Sequence, residues 1–124
     1  MSELRVRGIR GAVTVAADEP EAIHTATREL LGEIVARNGL EPEDVTSVLF
    51  TLTPDLRAAF PALAARDMGW TYVPMLHAVE LDVPGAIERC IRVLMHATTE
   101  RSQIEIEHVY LREAASLRPD LVRR

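Results

Sequence analysis

Cys90-Ile91-Arg92-Val93-Leu94-Met95 is an apolar run with strand character that contains a single charged side chain. Apolar residues at this density over a short segment predict a buried or half-buried strand. A guanidinium is costly to bury without an anion beside it, so Arg92 is expected to point into a pocket. The run therefore predicts a sheet whose binding site is built on one of its strands.

Two other segments are expected to supply groups to the same pocket. Arg7-Gly8-Ile9-Arg10-Gly11-Ala12 places an arginine between glycines on an early strand, and His108-Val109-Tyr110-Leu111-Arg112 lies shortly before Leu117-Arg118-Pro119-Asp120-Leu121. No catalytic nucleophile motif accompanies them. Arginines and a tyrosine that converge in this way indicate a site that binds an anion and stabilises charge.

Composition excludes several classes of function. All 14 basic residues are arginine and none is lysine, which excludes a Schiff-base lysine and a P-loop lysine. The formal net charge of −5 argues against binding to nucleic acid or to an anionic membrane. His24, His77, His96 and His108 have no metal-ligand spacing, so neither a metal nor another cofactor is expected.

Length and cysteine content predict one small domain in a reducing compartment. The 124 residues (1–124) suit a single domain, and no apolar run approaches the roughly 18 residues of a membrane span. The first residues lack the apolar segment of a secretory signal. Cys90 is the sole cysteine, so no internal disulfide can form, and a cytoplasmic location is expected.

The periodicity predicts an α+β or mixed α/β fold, with a mixed five-stranded sheet and two main helices on one face. A capping-box pattern at residues 18–21 and Gly39 are expected to bound the first helix. A domain of this size often completes its core by forming an oligomer. The predicted strands are 6–15, a second strand from 45 or 48 to 52, 70–77, 90–97 and 107–111, with a helix start at 53–55 and a short helix at 62–68.

The same segments, in order and spacing, resemble the monofunctional AroH class of chorismate mutases. The resemblance covers nearly the whole chain and also includes Thr53-Pro54-Asp55-Leu56, Phe60-Pro61-Ala62, Gly69-Trp70-Thr71-Tyr72-Val73-Pro74 and Glu80. It implies a homotrimer that forms a pseudo-α/β barrel, with active sites between subunits. It also implies conversion of chorismate to prephenate in phenylalanine and tyrosine biosynthesis, by a Claisen rearrangement without cofactor or covalent intermediate.

The resemblance also implies a role for each site residue. Arg92 would donate to the ether oxygen and one carboxylate, Arg10 and Tyr110 would bind carboxylates, and Glu80 would accept from the ring hydroxyl. The segment at about 112–124 would be mobile and close over the ligand. The remaining substrate-binding residues would line the cavity or its entrance, or contribute backbone: Phe60, Ala62, Arg66, Met75, Leu76, His77 and Arg118.

Two other functions stay open on the residues alone. A Rid-type enamine/imine deaminase is also a trimer with arginine in a cleft between subunits, but it lacks the glutamate for a ring hydroxyl. A non-catalytic trimer that binds an aromatic-pathway metabolite would need the same carboxylate-binding arginines. The order of the segments disfavours the deaminase, and the combination of Arg10, Glu80, Arg92 and Tyr110 disfavours the binding protein.

Overall fold

Residues 3–118 are described by the structure, which is a computed structural model. Short 3-10 turns at Pro42–Asp44, Gln103–Glu105 and Arg112–Ser116 connect or follow the main elements. In chain order, the main elements are β1 (Arg5–Thr14), α1 (Pro20–Asn38), β2 (Val45–Leu52), α2 (Pro61–Asp67), β3 (Met75–Val79), β4 (Cys90–Thr99) and β5 (Val109–Leu111).

The strands form one sheet in the order β3-β2-β4-β1-β5. β4 lies in the middle and runs antiparallel to both β1 and β2, whereas β3 pairs parallel with β2 and β5 pairs parallel with β1. A mixed five-stranded sheet with two α-helices was the predicted fold, and it is confirmed. The strand that carries Arg92 is therefore the central one.

The helices cover only one face of the sheet. Successive strand residues point to opposite faces, so Ile91, Val93 and Met95 of β4 project to one side and Arg92 to the other. The first set is buried with the apolar stripe of α1, which includes Leu30 and Ile34. Burial of these side chains drives the association of helix and sheet, at roughly 25 cal/mol for each Å² of apolar surface removed from water.

Gly11 allows α1 to approach the sheet closely. A Cβ atom at this position would lie 2.8 Å from the Cδ1 atom of Ile34, 3.1 Å from that of Leu30 and 3.2 Å from the carbonyl oxygen of Val109. A glycine within a strand often marks a bulge or a close approach of the backbone to a ligand or a neighbour. For Gly11 the neighbour is the helix.

The third strand is shorter than the predicted 70–77 and begins at Met75, directly after Pro74. The Pro74 carbonyl accepts a hydrogen bond of 2.9 Å from the backbone N–H of Val48, but proline has no N–H to extend the ladder. Trp70 is buried in the preceding turn and contributes to the core instead. The prediction was therefore wrong for residues 70–74.

Two predicted helix signals are used for other contacts. Glu19, not Asp18, occupies the N-cap position of α1, without a capping hydrogen bond from its side chain. The Asp18 carboxylate accepts from the backbone N–H groups of Arg57 and Ala58 at 2.8 and 2.9 Å. Residues 53–55 form no helix, because the Asp55 carboxylate instead accepts from the backbone N–H of Arg89. These acidic side chains join segments that are distant in sequence. Gly39 ends α1 in the left-handed conformation, as predicted.

Within residues 3–118, no helix is both long and apolar enough to cross a membrane.

Candidate active site

A single row across the sheet determines the position of Arg92. The strand register places Ala78, Thr51, Arg92, Ala12 and Tyr110 side by side on β3, β2, β4, β1 and β5. Residues paired across neighbouring strands point to the same face, so these side chains leave the sheet on the face opposite the helices. We call it the open face; among the described elements no α-helix covers it, although the 3-10 turn Arg112–Ser116 packs against its β1 and β5 end through Ala114.

Glu80 and Arg92 form an ion pair on the open face. The Oε2 atom of Glu80 lies 3.3 Å from Nε of Arg92 and accepts a hydrogen bond of 2.6 Å from the hydroxyl of Thr51. The backbone N–H of Glu80 donates to the Leu52 carbonyl at 2.8 Å, which fixes this residue just beyond the end of β3. The carboxylate is thereby held against β2 through both its backbone and its side chain.

Nε of Arg92 lacks a hydrogen bond in spite of the nearby carboxylate. The 3.3 Å separation satisfies an ion pair, but Nε is buried without an aligned acceptor, the one such side-chain atom among residues 3–118. Buried donors without partners are rare in folded proteins because each carries a desolvation cost. The Arg92 side chain is 40% exposed overall, so the other donors of its guanidinium can reach a ligand on the open face.

Tyr110 belongs to a small apolar cluster on the open face. It is 8% exposed and packs with Ala12, Cys90 and Ala114. Its hydroxyl has no hydrogen-bond partner within residues 3–118 and can accept or donate a bond to a ligand. Burial raises the pKa of the Cys90 thiol to about 11, although the charge of Arg92 acts in the opposite direction. This thiol stays protonated near neutral pH and is not a nucleophile.

Arg10 lies on the same face, one row away. It pairs with Leu94 of β4, and its backbone N–H donates to Nδ1 of His108 at 2.9 Å. Its side chain is exposed. The structure therefore brings Arg10, Glu80, Arg92 and Tyr110 onto one face, although they come from four different strands or strand ends.

A second group of predicted residues lies around the start of α2. Nε2 of His77 accepts a hydrogen bond of 3.2 Å from the backbone N–H of Ala62, and the imidazole lies between the rings of Phe50 and Phe60 at 5.3 and 5.2 Å. Burial lowers the pKa of His77, and the charge of Arg66 lowers it further. The imidazole is therefore neutral near pH 7 and serves as an acceptor that joins β3 to α2.

This second group borders an open pocket of about 420 Å³, whose lining includes Leu56, Arg57, Phe60, His77 and Val79. None of the four residues that share the open face lines this pocket. Phe60 is 65% exposed, whereas Ala62 is buried. Within residues 3–118 of one chain, the two groups of predicted residues therefore do not share a cavity.

The remaining predicted residues fall in different places. Met75 packs against the core, and Leu76 is 72% exposed on the open face. Arg118 follows the last 3-10 turn and is half-buried. Of the segment 112–124, residues 112–116 form that turn, in which Ala114 is buried, and residues 119–124 lie outside the described residues. Closure of this segment stays a prediction.

Thr51, which also lies on the open face, was not among the predicted site residues. It interrupts the apolar end of β2, Val48-Leu49-Phe50-Thr51-Leu52, much as Arg92 interrupts β4. Alternation along the strand would have placed it on the same face as Leu49, away from Phe50. Its proximity to Glu80 depends on the parallel pairing of β2 with β3, which the sequence pattern does not specify.

The fold is a small α/β domain, and its open face carries groups suited to a small anion. Two guanidinium groups supply the positive charge, Glu80 supplies an acceptor, and within residues 3–118 no cluster of side chains is suited to hold a metal ion. The sequence matches the family model described as chorismate mutase type I over residues 6–121. The chain belongs to this family and is an isomerase.

Similar proteins support this assignment over nearly the full chain. Chorismate mutase AroH from Thermus thermophilus is 56% identical over 117 residues, which cover 94% of this chain and 96% of that protein. Chorismate mutase AroH from Bacillus subtilis (strain 168) is 48% identical over 119 residues, which cover 95% of this chain and 94% of that protein. The solved structure of a chorismate mutase from Clostridium thermocellum has a TM-score of 0.88 at 48% identity, covering 89% of this chain and 98% of that one.

Proposed function

We propose that this enzyme converts chorismate to prephenate by a concerted Claisen rearrangement, as a step in phenylalanine and tyrosine biosynthesis in the cytoplasm. The observation that carries the proposal is the position of Arg92, whose guanidinium lies on the central strand beside Glu80 and has a buried Nε donor without an aligned acceptor within residues 3–118. Family membership supplies the substrate, and the open face supplies groups that suit it.

The rearrangement requires no covalent step that involves a group of the protein. One ether C–O bond breaks while one C–C bond forms, and no proton is transferred. The enzyme accelerates such a reaction by holding the substrate in its compact reactive conformer and by stabilising the charge that grows on the ether oxygen. A guanidinium suits this role because it stays protonated at any working pH and its donors have fixed directions. We assign this role to Arg92.

The other groups of the open face would orient the dianionic substrate. Arg10 would bind one carboxylate, and the hydroxyl of Tyr110, which has no hydrogen-bond partner within residues 3–118, would bind another. Glu80 would accept from the ring hydroxyl through Oε1, which makes no hydrogen bond within residues 3–118, since Oε2 is occupied by Thr51. Arg118 would shape the entrance as the C-terminal segment closes.

The open face also supports assembly into a homotrimer. Leu76, Leu49 and Leu94 lie side by side across β3, β2 and β4, and they are 72%, 37% and 37% exposed. A contiguous apolar surface in the middle of a sheet is typical of an interface. In a trimer built as a pseudo-α/β barrel, the group around Phe60 and His77 of one subunit would complete the site of its neighbour.

The test is to mix the purified enzyme with chorismate and follow its disappearance by absorbance, with prephenate identified as the product by mass spectrometry. We expect conversion without added metal, unaffected by EDTA. Tight binding of chorismate without turnover would instead support a metabolite-binding protein. Release of ammonia from an enamine or imine substrate, with chorismate untouched, would support the deaminase.

A further inference from the structure

Thr51 lies between the two charged residues of the open face. It is paired with Ala78 on one side and with Arg92 on the other. Its hydroxyl donates to Oε2 of Glu80 at 2.6 Å, a distance typical of a strong bond from a hydroxyl to a carboxylate. The hydroxyl has one proton, and this bond uses it.

Because of this bond, the two oxygens of the Glu80 carboxylate have different surroundings. Oε2 is held by Thr51 and lies 3.3 Å from Nε of Arg92, whereas Oε1 makes no hydrogen bond within residues 3–118. The last torsion of a glutamate side chain is broad, so a free carboxylate samples many orientations. A bond to one oxygen restricts that torsion and thereby sets the direction of the other oxygen.

We infer that Thr51 is a positioning residue of the active site. Its hydroxyl orients the Glu80 carboxylate so that Oε2 faces Arg92 and Oε1 is available to the hydroxyl group of the substrate. Thr51 itself does not touch the reacting atoms. The inference rests on the proposed function, because it assigns Thr51 a role only through Glu80 and Arg92.

A simpler explanation is that Thr51 is an ordinary strand residue whose half-buried hydroxyl needs an acceptor. β-Branched residues favour strands whatever their function. The two explanations differ in one respect. A role in positioning must act through the carboxylate of Glu80, whereas a role in strand stability must act whether or not that carboxylate is present.

The experiment compares Thr51→Val, which removes the hydroxyl and retains the branched shape, with Thr51→Ser, which retains the hydroxyl. With chorismate as substrate, we expect Thr51→Val to lower kcat/KM by about 10- to 100-fold, as for other small misplacements of catalytic groups. Most of the loss should appear in kcat, because the position of Arg92 matters most in the transition state. Thr51→Ser should keep most of the activity. Thr46→Val is the matched control, because Thr46 is exposed on the same strand.

The decisive comparison repeats the substitution in a Glu80→Ala background. If Thr51 acts through Glu80, removal of its hydroxyl should then have almost no further effect, and the two losses should be far from additive. Additive losses would overturn the inference, as would a Thr51→Val enzyme that matches the wild type. If Thr51→Val does not fold, Thr51→Ala and Thr51→Ser still differ in the hydroxyl alone. If the wild-type enzyme fails to convert chorismate, the proposed function itself is refuted. If the wild type is active and Thr51→Val is equally active, only the role of Thr51 is refuted.

Discussion

Replacing Arg92 by lysine should separate the proposed catalytic role of this residue from its contribution to stability. Lysine retains a positive charge on the central strand, but it has a single ammonium group in place of a planar fork of donors. Nε of Arg92, which lies 3.3 Å from Glu80, would be lost, and the charge would move to the end of a flexible chain. The cation would then be poorly placed for both the carboxylate and the ether oxygen.

The expected effects on activity and on stability differ in size. The side chains of Arg92 and Glu80 are 40% and 24% exposed, so solvent screens their ion pair, which contributes about 1 kcal/mol or less to folding. Loss of one preorganised donor to a transition state costs on the order of 10²–10³ in kcat. We therefore expect Arg92→Lys and Arg92→Ala to lose activity by at least this factor while their unfolding midpoints change little.

The assay is steady-state conversion of chorismate, with urea unfolding measured on the same preparations. Arg37→Lys is the matched control, because Arg37 forms an ion pair of similar exposure with Glu33 on α1, at 2.7 Å and away from the open face. It should retain full activity. Near-normal turnover in Arg92→Lys would refute the argument that the geometry of the guanidinium matters. A loss of activity that merely follows a loss of folded enzyme would refute it as well.

The other predictions concern assembly, packing and pH. Leu49→Asp places a charge on the apolar open face and should dissociate the proposed trimer and abolish activity, which light scattering and the chorismate assay would detect. Gly11→Ala should destabilise folding by about 1–3 kcal/mol in urea titrations, because the new methyl overlaps Ile34. In the folded enzyme kcat should be nearly flat from roughly pH 5 to 9, and a steep limb would reveal a titrating catalytic group. Because the pKa of His77 is lowered in the folded protein, its neutral imidazole favours folding above pH 6.5, the ordinary pKa, and this stabilisation is lost as the pH falls below that value. The stability of His77→Phe against unfolding should therefore depend less on pH in this range.

The strand pattern and the main helix could be predicted because they depend on local periodicity. The apolar stripe of α1 recurs at helical spacing, and Gly39 ends the helix as a glycine with positive φ commonly does. Arg92 was identifiable as a site residue because a charge within an apolar strand needs an explanation from elsewhere in the fold. These features are encoded within short stretches of sequence.

The errors arose where polar side chains bind distant parts of the chain. Asp18 and Asp55 looked like local helix signals, but their carboxylates accept backbone N–H groups of residues that lie 39 or 40 and 34 positions away. The contact between Thr51 and Glu80 likewise depends on the pairing of β2 with β3. Periodicity within a segment does not predict these contacts, because they depend on how distant segments are arranged in the fold. For Glu80, only the family resemblance indicated a role, whereas the residues alone placed Tyr110 in the anion pocket and the resemblance made it a carboxylate ligand.

The central position of β4 has a consequence for how the chain folds during synthesis. β1 and β2 are both made early, yet in the sheet they are separated by β4, which ends at Thr99. Neither of the two long antiparallel pairings can form until most of the chain has left the ribosome. Pairings between segments so distant in sequence form slowly. Until they form, the backbone edges and apolar side chains of β1 and β2 stay exposed. Nascent chains halted before residue 90 should therefore be sensitive to protease, and those extended well beyond residue 99 should become resistant.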